Sequence, residues 1–129
     1  MLKGQVKLAA IGLVAVLVFE AVGAYAFKAN GAGVRWIGIL GVLLYLAIGF
    51  FAGRRLGTWR DGLGVVMIVA LVEMPLGMLM MHAVDPGSVP NLPVGMMIAG
   101  SLIGIVFNGI IGLIGTLIGA RFARSDAPR

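Results

Sequence analysis

The sequence predicts an all-α fold: an integral membrane four-helix bundle of four transmembrane helices, N-in and C-in. Three observations lead there. Of the 129 residues, 60% are hydrophobic and only 12% are charged, against roughly 25% charged in an average soluble domain. The apolar residues gather in four long runs, and the basic residues flank those runs instead of entering them. A soluble domain this short leaves much of its surface wet and has no core large enough to hide such a composition. With a mean hydropathy of +1.08, lipid is the natural solvent for the excess. One transmembrane domain over 1–129 is the expected organisation.

The first run, 8–27, carries Glu20 as its only charge; the second, 36–53, carries none. The third, 62–81, carries only Glu73, and the fourth, 94–120, none. Each is close to or above the roughly 20 residues that cross a hydrocarbon core at about 1.5 Å per residue. The surplus in the fourth predicts tilt or projection into the interface. Unsatisfied backbone groups are so costly in lipid that these runs must be helical. The connections are short: a glycine- and asparagine-containing turn at 28–35, a basic loop at 54–61 with Trp59 at the interface, and a three-proline loop at 82–93. Short loops predict that sequential helices lie side by side, antiparallel.

Four crossings put the N-terminus, the 54–61 loop and the C-terminus on one side. That side holds Lys3, Lys7, Arg54, Arg55, Arg60, Arg121, Arg124 and Arg129; the other holds Lys28 and Arg35. The bias makes the basic side cytoplasmic and argues against dual topology. A bacterial inner (plasma) membrane is the expected location. The net charge of +5 therefore belongs to topology, and no nucleic-acid partner is expected. An alternative reading makes Lys3, Lys7, the apolar stretch 8–19 and Ala24-Tyr25-Ala26 a secretory signal peptide. Cleavage there would leave three spans and remove Glu20. A weak internal repeat pairs Glu20 with Glu73, and Ala52-Gly53-Arg54-Arg55 with Gly119-Ala120-Arg121. Parallel repeats of this kind occur in transporters, and recurrence among glycine-rich spans would look the same.

The glycines recur at steps of three or four. Gly100, Gly104, Asn108, Gly112, Gly115 and Gly119 share one face of the fourth helix; Gly38, Gly41, Tyr45, Gly49 and Gly53 share one face of the second. Small-residue stripes let backbones approach closely, which is what joins helices in lipid. Helix packing is thus expected of Gly41, Gly49, Gly53, Gly100, Gly104, Gly112, Gly115 and Gly119, either within the bundle or at a homo-oligomer interface.

Glu20 and Glu73 carry most of the functional information. An acid deep in a span is expensive and ordinarily faces a bundle interior or a cavity. Counted from the cytoplasmic ends, Glu20, Glu73 and Asn108 all lie about 18–20 Å along their helices, with no lysine or arginine at that depth. Two carboxylates in low dielectric cannot both ionise cheaply, so the layer predicts a proton or cation site. The competing reading is two protonated acids bonded to carbonyls or to Asn108. Pro75, two residues after Glu73, predicts a local kink. Met74, Met78, Met81 and His82 recur at helical spacing, with Met96 and Met97 opening the next span. Thioethers and imidazole suit Cu(I), although methionine is also an adaptable apolar filler.

The absence of cysteine removes disulfides and thiolate chemistry. The single His82 has no nucleophile at helical spacing, so an enzyme is not expected, nor is any cofactor. The expected partners are the lipid bilayer and either further copies of the chain or a larger membrane complex.

The stretch Glu20-Ala21-Val22-Gly23 followed by Lys28 resembles the first-span signature of the small multidrug resistance transporters. That family has four helices, and an essential first-span glutamate that exchanges protons for cationic drugs. The resemblance implies that role for Glu20 and, one position off the family's second-span tyrosine, a place in the site for Tyr45. It covers about the first third of the chain; the family's third-span tryptophan motif is absent, and Glu73 is an additional acid. Separately, the stretch 49–55, Gly-Phe-Phe-Ala-Gly-Arg-Arg, with Gly62 and Gly64, resembles small four-helix bacterial membrane proteins of unknown function. The function expected is proton- or cation-linked transport. The alternatives are a structural or assembly subunit of a membrane complex, and copper handling by the methionines.

Overall fold

Each apolar run becomes one helix that outgrows it. The computed structural model describes residues 2–30, 35–84, 86–87, 91–126 and 128; the side chains of 2, 27–30 and 35–37 lie outside that description. The helices are α1 (Leu2–Asn30), α2 (Arg35–Leu56), α3 (Trp59–Val84) and α4 (Val94–Ser125), with no strand among the described residues. All four are long and apolar enough to cross a membrane. At 32 residues, α4 is about 48 Å long against a core of about 30 Å. The side chains of Lys28 and Arg35, the centre of the 28–35 turn, Asp85 and Pro90 of the outer loop, and Arg129 lie outside the described residues.

The inner loop is tighter than the sequence suggests, because α2 and α3 each extend into it. Gly57 has φ +73°, a left-handed conformation that glycine adopts without steric cost. Its N–H donates to the Gly53 carbonyl at 2.9 Å. Thr58 then caps α3, its hydroxyl accepting the Asp61 N–H at 3.3 Å, as a threonine N-cap does, and donating to Asp61 Oδ2 at 2.5 Å. Arg54 and Arg55 sit in the last turn of α2, where the helix dipole favours cations.

Sequential helices lie side by side, as the short loops predict, with α1 only loosely on α2; the closest pairing, α2 with α4, is one that loop length does not indicate. Gly49 meets Gly112, Gly53 meets Thr116, and Gly115 and Gly119 meet the Leu46–Arg54 backbone. Numbering rises together on both sides, so α2 and α4 run parallel. The same holds for α1 and α3, where Gly12 meets Val69 and Gly77 meets Glu20. Helix α3 touches all three others, while α1 and α4 make no close approach among the described residues. A two-fold repeat would require α1–α4 to mirror α2–α3, so the recurrence of Glu20 and Glu73 is not a two-fold of the fold.

The core follows α3. Val65, Val66, Val69 and Ala70 are fully buried, joined by Ala9, Val16, Ala52 and Ile111 from the other helices. Where Gly53, Gly62 and Thr116 meet, three backbones converge: a Cβ at Gly62 would stand 2.8 Å from Thr116 Cγ2 and 3.0 Å from Gly53 Cα. The buried Thr116 hydroxyl donates to its own helix, at Leu113 O, 2.8 Å. Gly49, Gly53, Gly112, Gly115 and Gly119 are thus occupied within the chain. Among the described residues, nothing lies within 4 Å of a Cβ at Gly100, and one at Gly104 meets only the flexible end of Met74, its methyl and sulfur. The stripe on α4 is a helix contact over its inner half only.

Outside this core the bundle is apolar all round, with Val14, Val22, Leu79 and Ile103 well over half exposed. Such a surface is an aggregation liability in water and an ordinary lipid-facing one in a bilayer. Polar ties collect at the inner end: Gln5 Nε2 donates to Asp61 Oδ1 at 3.2 Å, and Arg54 pairs with Asp126 at 3.1 Å. Both are solvent-facing or half-buried ties and contribute less than about 1 kcal/mol each. Reporter fusions after Arg129 and at Gly87 are expected to report opposite sides of the membrane; the same side for both would contradict four crossings.

Candidate functional site

Each helix sends one polar side chain to a single place. Glu20 from α1, Tyr45 from α2, Glu73 from α3 and Asn108 from α4 all line one cavity of about 190 Å³, walled by Phe19 and Phe107. The rise per residue explains the convergence, since the four positions sit at similar heights on helices of alternating direction. Pro75 lies inside α3 just beyond; it has no N–H to offer the Leu71 carbonyl, and the helix runs on through it to Val84.

Tyr45 and Glu73 are buried, 4% and 7% exposed. The Tyr45 hydroxyl donates to Glu73 Oε2 at 2.5 Å, which fixes Glu73 as the acceptor of that bond. Asn108 faces the same hydroxyl, and the Glu20 carboxyl lies beside that of Glu73. Glu20 Oε2 is buried with no hydrogen-bond partner. A buried polar atom in that condition is costly, and among the described residues no lysine, arginine or histidine lines the cavity to balance the two acids. The arrangement therefore has room, polarity and electrostatic demand for one proton or one small cation.

Sequence reasoning missed Gly77, which seats Glu20. A Cβ there would come within 2.5 Å of Glu20 Oε2 and 2.9 Å of Oε1, so the carboxyl lies directly on the α3 backbone. The signal was available: Gly77 follows Glu73 by one turn and shares its face. Gly41, expected to pack a helix, lines the cavity wall facing α1, where a Cβ would meet Phe19 Cε1 at 3.7 Å. Gly38 beside it has nothing within 4 Å.

The methionines divide. Met74, Met78, Met96 and Met97 line a second cavity of about 300 Å³ between α3 and α4, with Ser101 as a polar neighbour. Met81 and His82 are exposed and do not line it. The Met/His cluster drawn from helical spacing is therefore not assembled as one group, and imidazole is missing from the thioether cavity.

Fold and site together define a small four-helix integral membrane protein with a paired-carboxylate cavity among its spans. No protein-family model, curated protein or solved structure matches the chain. The likeness to small multidrug resistance transporters therefore rests on the first-hairpin residues alone.

Proposed function

We propose that the chain moves protons, or exchanges them for small cations, across an inner (plasma) membrane through the Glu20–Glu73 pair, without covalent catalysis. One observation carries this reading: four helices each contribute one polar group to a cavity that, among the described residues, is lined by two carboxylates and no cationic side chain. Such a pair favours holding one proton between its members, and exchange of that proton for a cation is the elementary step of coupled transport. Tyr45 orients Glu73, and Asn108 supplies a further polar contact. Cavity size selects the cargo. About 190 Å³ holds roughly six waters at about 30 Å³ each, and falls below the roughly 300–1,000 Å³ of pockets for drug-sized ligands. A proton or hydrated inorganic ion fits better than a lipophilic drug.

The test is flux into liposomes carrying the purified protein, read by an internal pH dye under imposed proton, sodium and potassium gradients. Wild type is expected to dissipate at least one gradient pair, and Glu20→Gln and Glu73→Gln each to abolish it while the helical content is kept. No flux in wild type, or full flux in both variants, would leave the rival reading of an assembly subunit ahead. That rival predicts a native particle larger than this chain can form alone after mild detergent extraction.

A further inference from the structure

The loose contact between α1 and α2 leaves a groove of about 690 Å³ on the inner half of the bundle, adjoining the carboxylate cavity at Leu44 and holding neither acid. Its walls are apolar, with Ile11 and Ala15 on α1, Ala47 and Phe51 on α2, and Val65 of α3 at its base. Its chemistry changes at one end only, where Lys7 and Arg55 stand on the two rims. Among the described residues the one ion pair is Arg54 with Asp126, so neither Lys7 nor Arg55 has a carboxylate to neutralise it. From Lys7 to Ala15 is about 12 Å along the helix, most of the roughly 15 Å depth of a single leaflet.

We infer that this groove is a binding site for an anionic phospholipid, one acyl chain lying between α1 and α2 and the phosphate held by Lys7 and Arg55. Shape and charge agree on that occupant. The volume falls in the range that takes a drug-sized apolar ligand, and the basic end lies at the level where headgroups sit. Basic pockets between helices on the cytoplasmic side favour acidic headgroups. A helix from a second copy is disfavoured by the same charges. Every copy in the membrane carries its lysines and arginines on that side, so packing a second chain here would bring like charges together at one depth.

The test uses the full chain in mild detergent, with native mass spectrometry after adding equal amounts of phosphatidylglycerol and phosphatidylcholine of identical acyl chains. Wild type is expected to retain phosphatidylglycerol with a preference of about twenty-five-fold, taking roughly a factor of five for each of the two basic residues near the headgroup. Lys7→Gln and Arg55→Gln should each reduce that preference about fivefold, and Arg55→Lys should keep it. Ala15→Phe, which fills the groove without touching a charge, should lower retention of both lipids. Thermal unfolding of each variant identifies any that has lost its fold, and the wild-type comparison needs no variant at all. Equal retention of the two lipids by wild type would overturn the inference. So would undiminished binding in Ala15→Phe, which would put the lipid on the outer surface. Displacement by excess inorganic phosphate would mean an anion site without a chain groove, and a lipid-free dimer would make the groove a protein interface; either result also overturns it.

Discussion

Gly49→Leu and Gly119→Leu are each expected to destroy the folded bundle, lowering its stability by about 3 kcal/mol or more. That is the upper end of what overpacking ordinarily costs. Neither position has side chains opposite that are free to move aside. A Cβ at Gly49 would run into the Gly112 carbonyl, and one at Gly119 into the Phe50 carbonyl, with the Arg54 nitrogen at 2.9 Å. Backbone meets backbone, so α2 and α4 would have to separate along their whole contact. The controls lie on α4 with Gly119: among the described residues Gly95→Leu and Gly100→Leu meet nothing within 4 Å and should change stability by less than about 0.5 kcal/mol. Gly104→Leu should fall between, because the Met74 terminal methyl can swing away. Thermal unfolding in detergent, with monodispersity by gel filtration, separates the three groups. Equal losses at Gly95 and Gly119 would mean that the α2–α4 contact is not what holds the molecule together.

Gly77→Ala is expected to abolish flux while leaving the bundle folded. The added methyl occupies the place where the Glu20 carboxyl now rests, 2.5 Å from Oε2. Glu20 is the end of a flexible side chain, so it can turn aside at a cost of about 1 kcal/mol or less. Turning aside removes it from Glu73, and displacement of a reacting group by about 1 Å costs on the order of 100-fold in rate. Both acids, Tyr45 and Asn108 remain present, which distinguishes position from composition. Infrared spectra of the carboxyl groups should change in parallel, from a coupled pair to two separate acids. Full flux in Gly77→Ala together with a spectrum of two separate acids would show that contact between Glu20 and Glu73 is irrelevant to the activity.

Much of the architecture was legible in the sequence because two of its constraints are one-dimensional. Span length follows from bilayer thickness, and height follows from rise per residue. The four runs therefore emerge as four helices, and Glu20, Glu73 and Asn108 emerge at one level. Azimuth is different. Glycine periodicity marked a face on α2 and a face on α4 without saying that each was the other's partner, and loop length pointed instead to sequence neighbours. The stripe is uniform in sequence, yet among the described residues nothing lies within 4 Å of a Cβ at Gly100. Gly77 is hard to single out because its one signal, a place one turn after Glu73 on the same face, lies in a chain of 21 glycines. The groove beside α1 was illegible for the same reason: it is a gap between two faces, and no residue encodes a gap.

The parallel pairing of α2 with α4 bears on how the chain is made. Helices enter the membrane in order, α1 and α2 before the rest, yet these two make few contacts with one another. The first hairpin must then persist in lipid as two weakly associated spans until α3 arrives to touch both. The glycine contact closes last, joining residues some sixty positions apart, such as Gly49 and Gly112. Loops of that separation make a late, non-local step. A nascent chain halted before its fourth span would therefore hold α2 with its glycine face bared to lipid, available to any other small-residue helix until its own partner is synthesised.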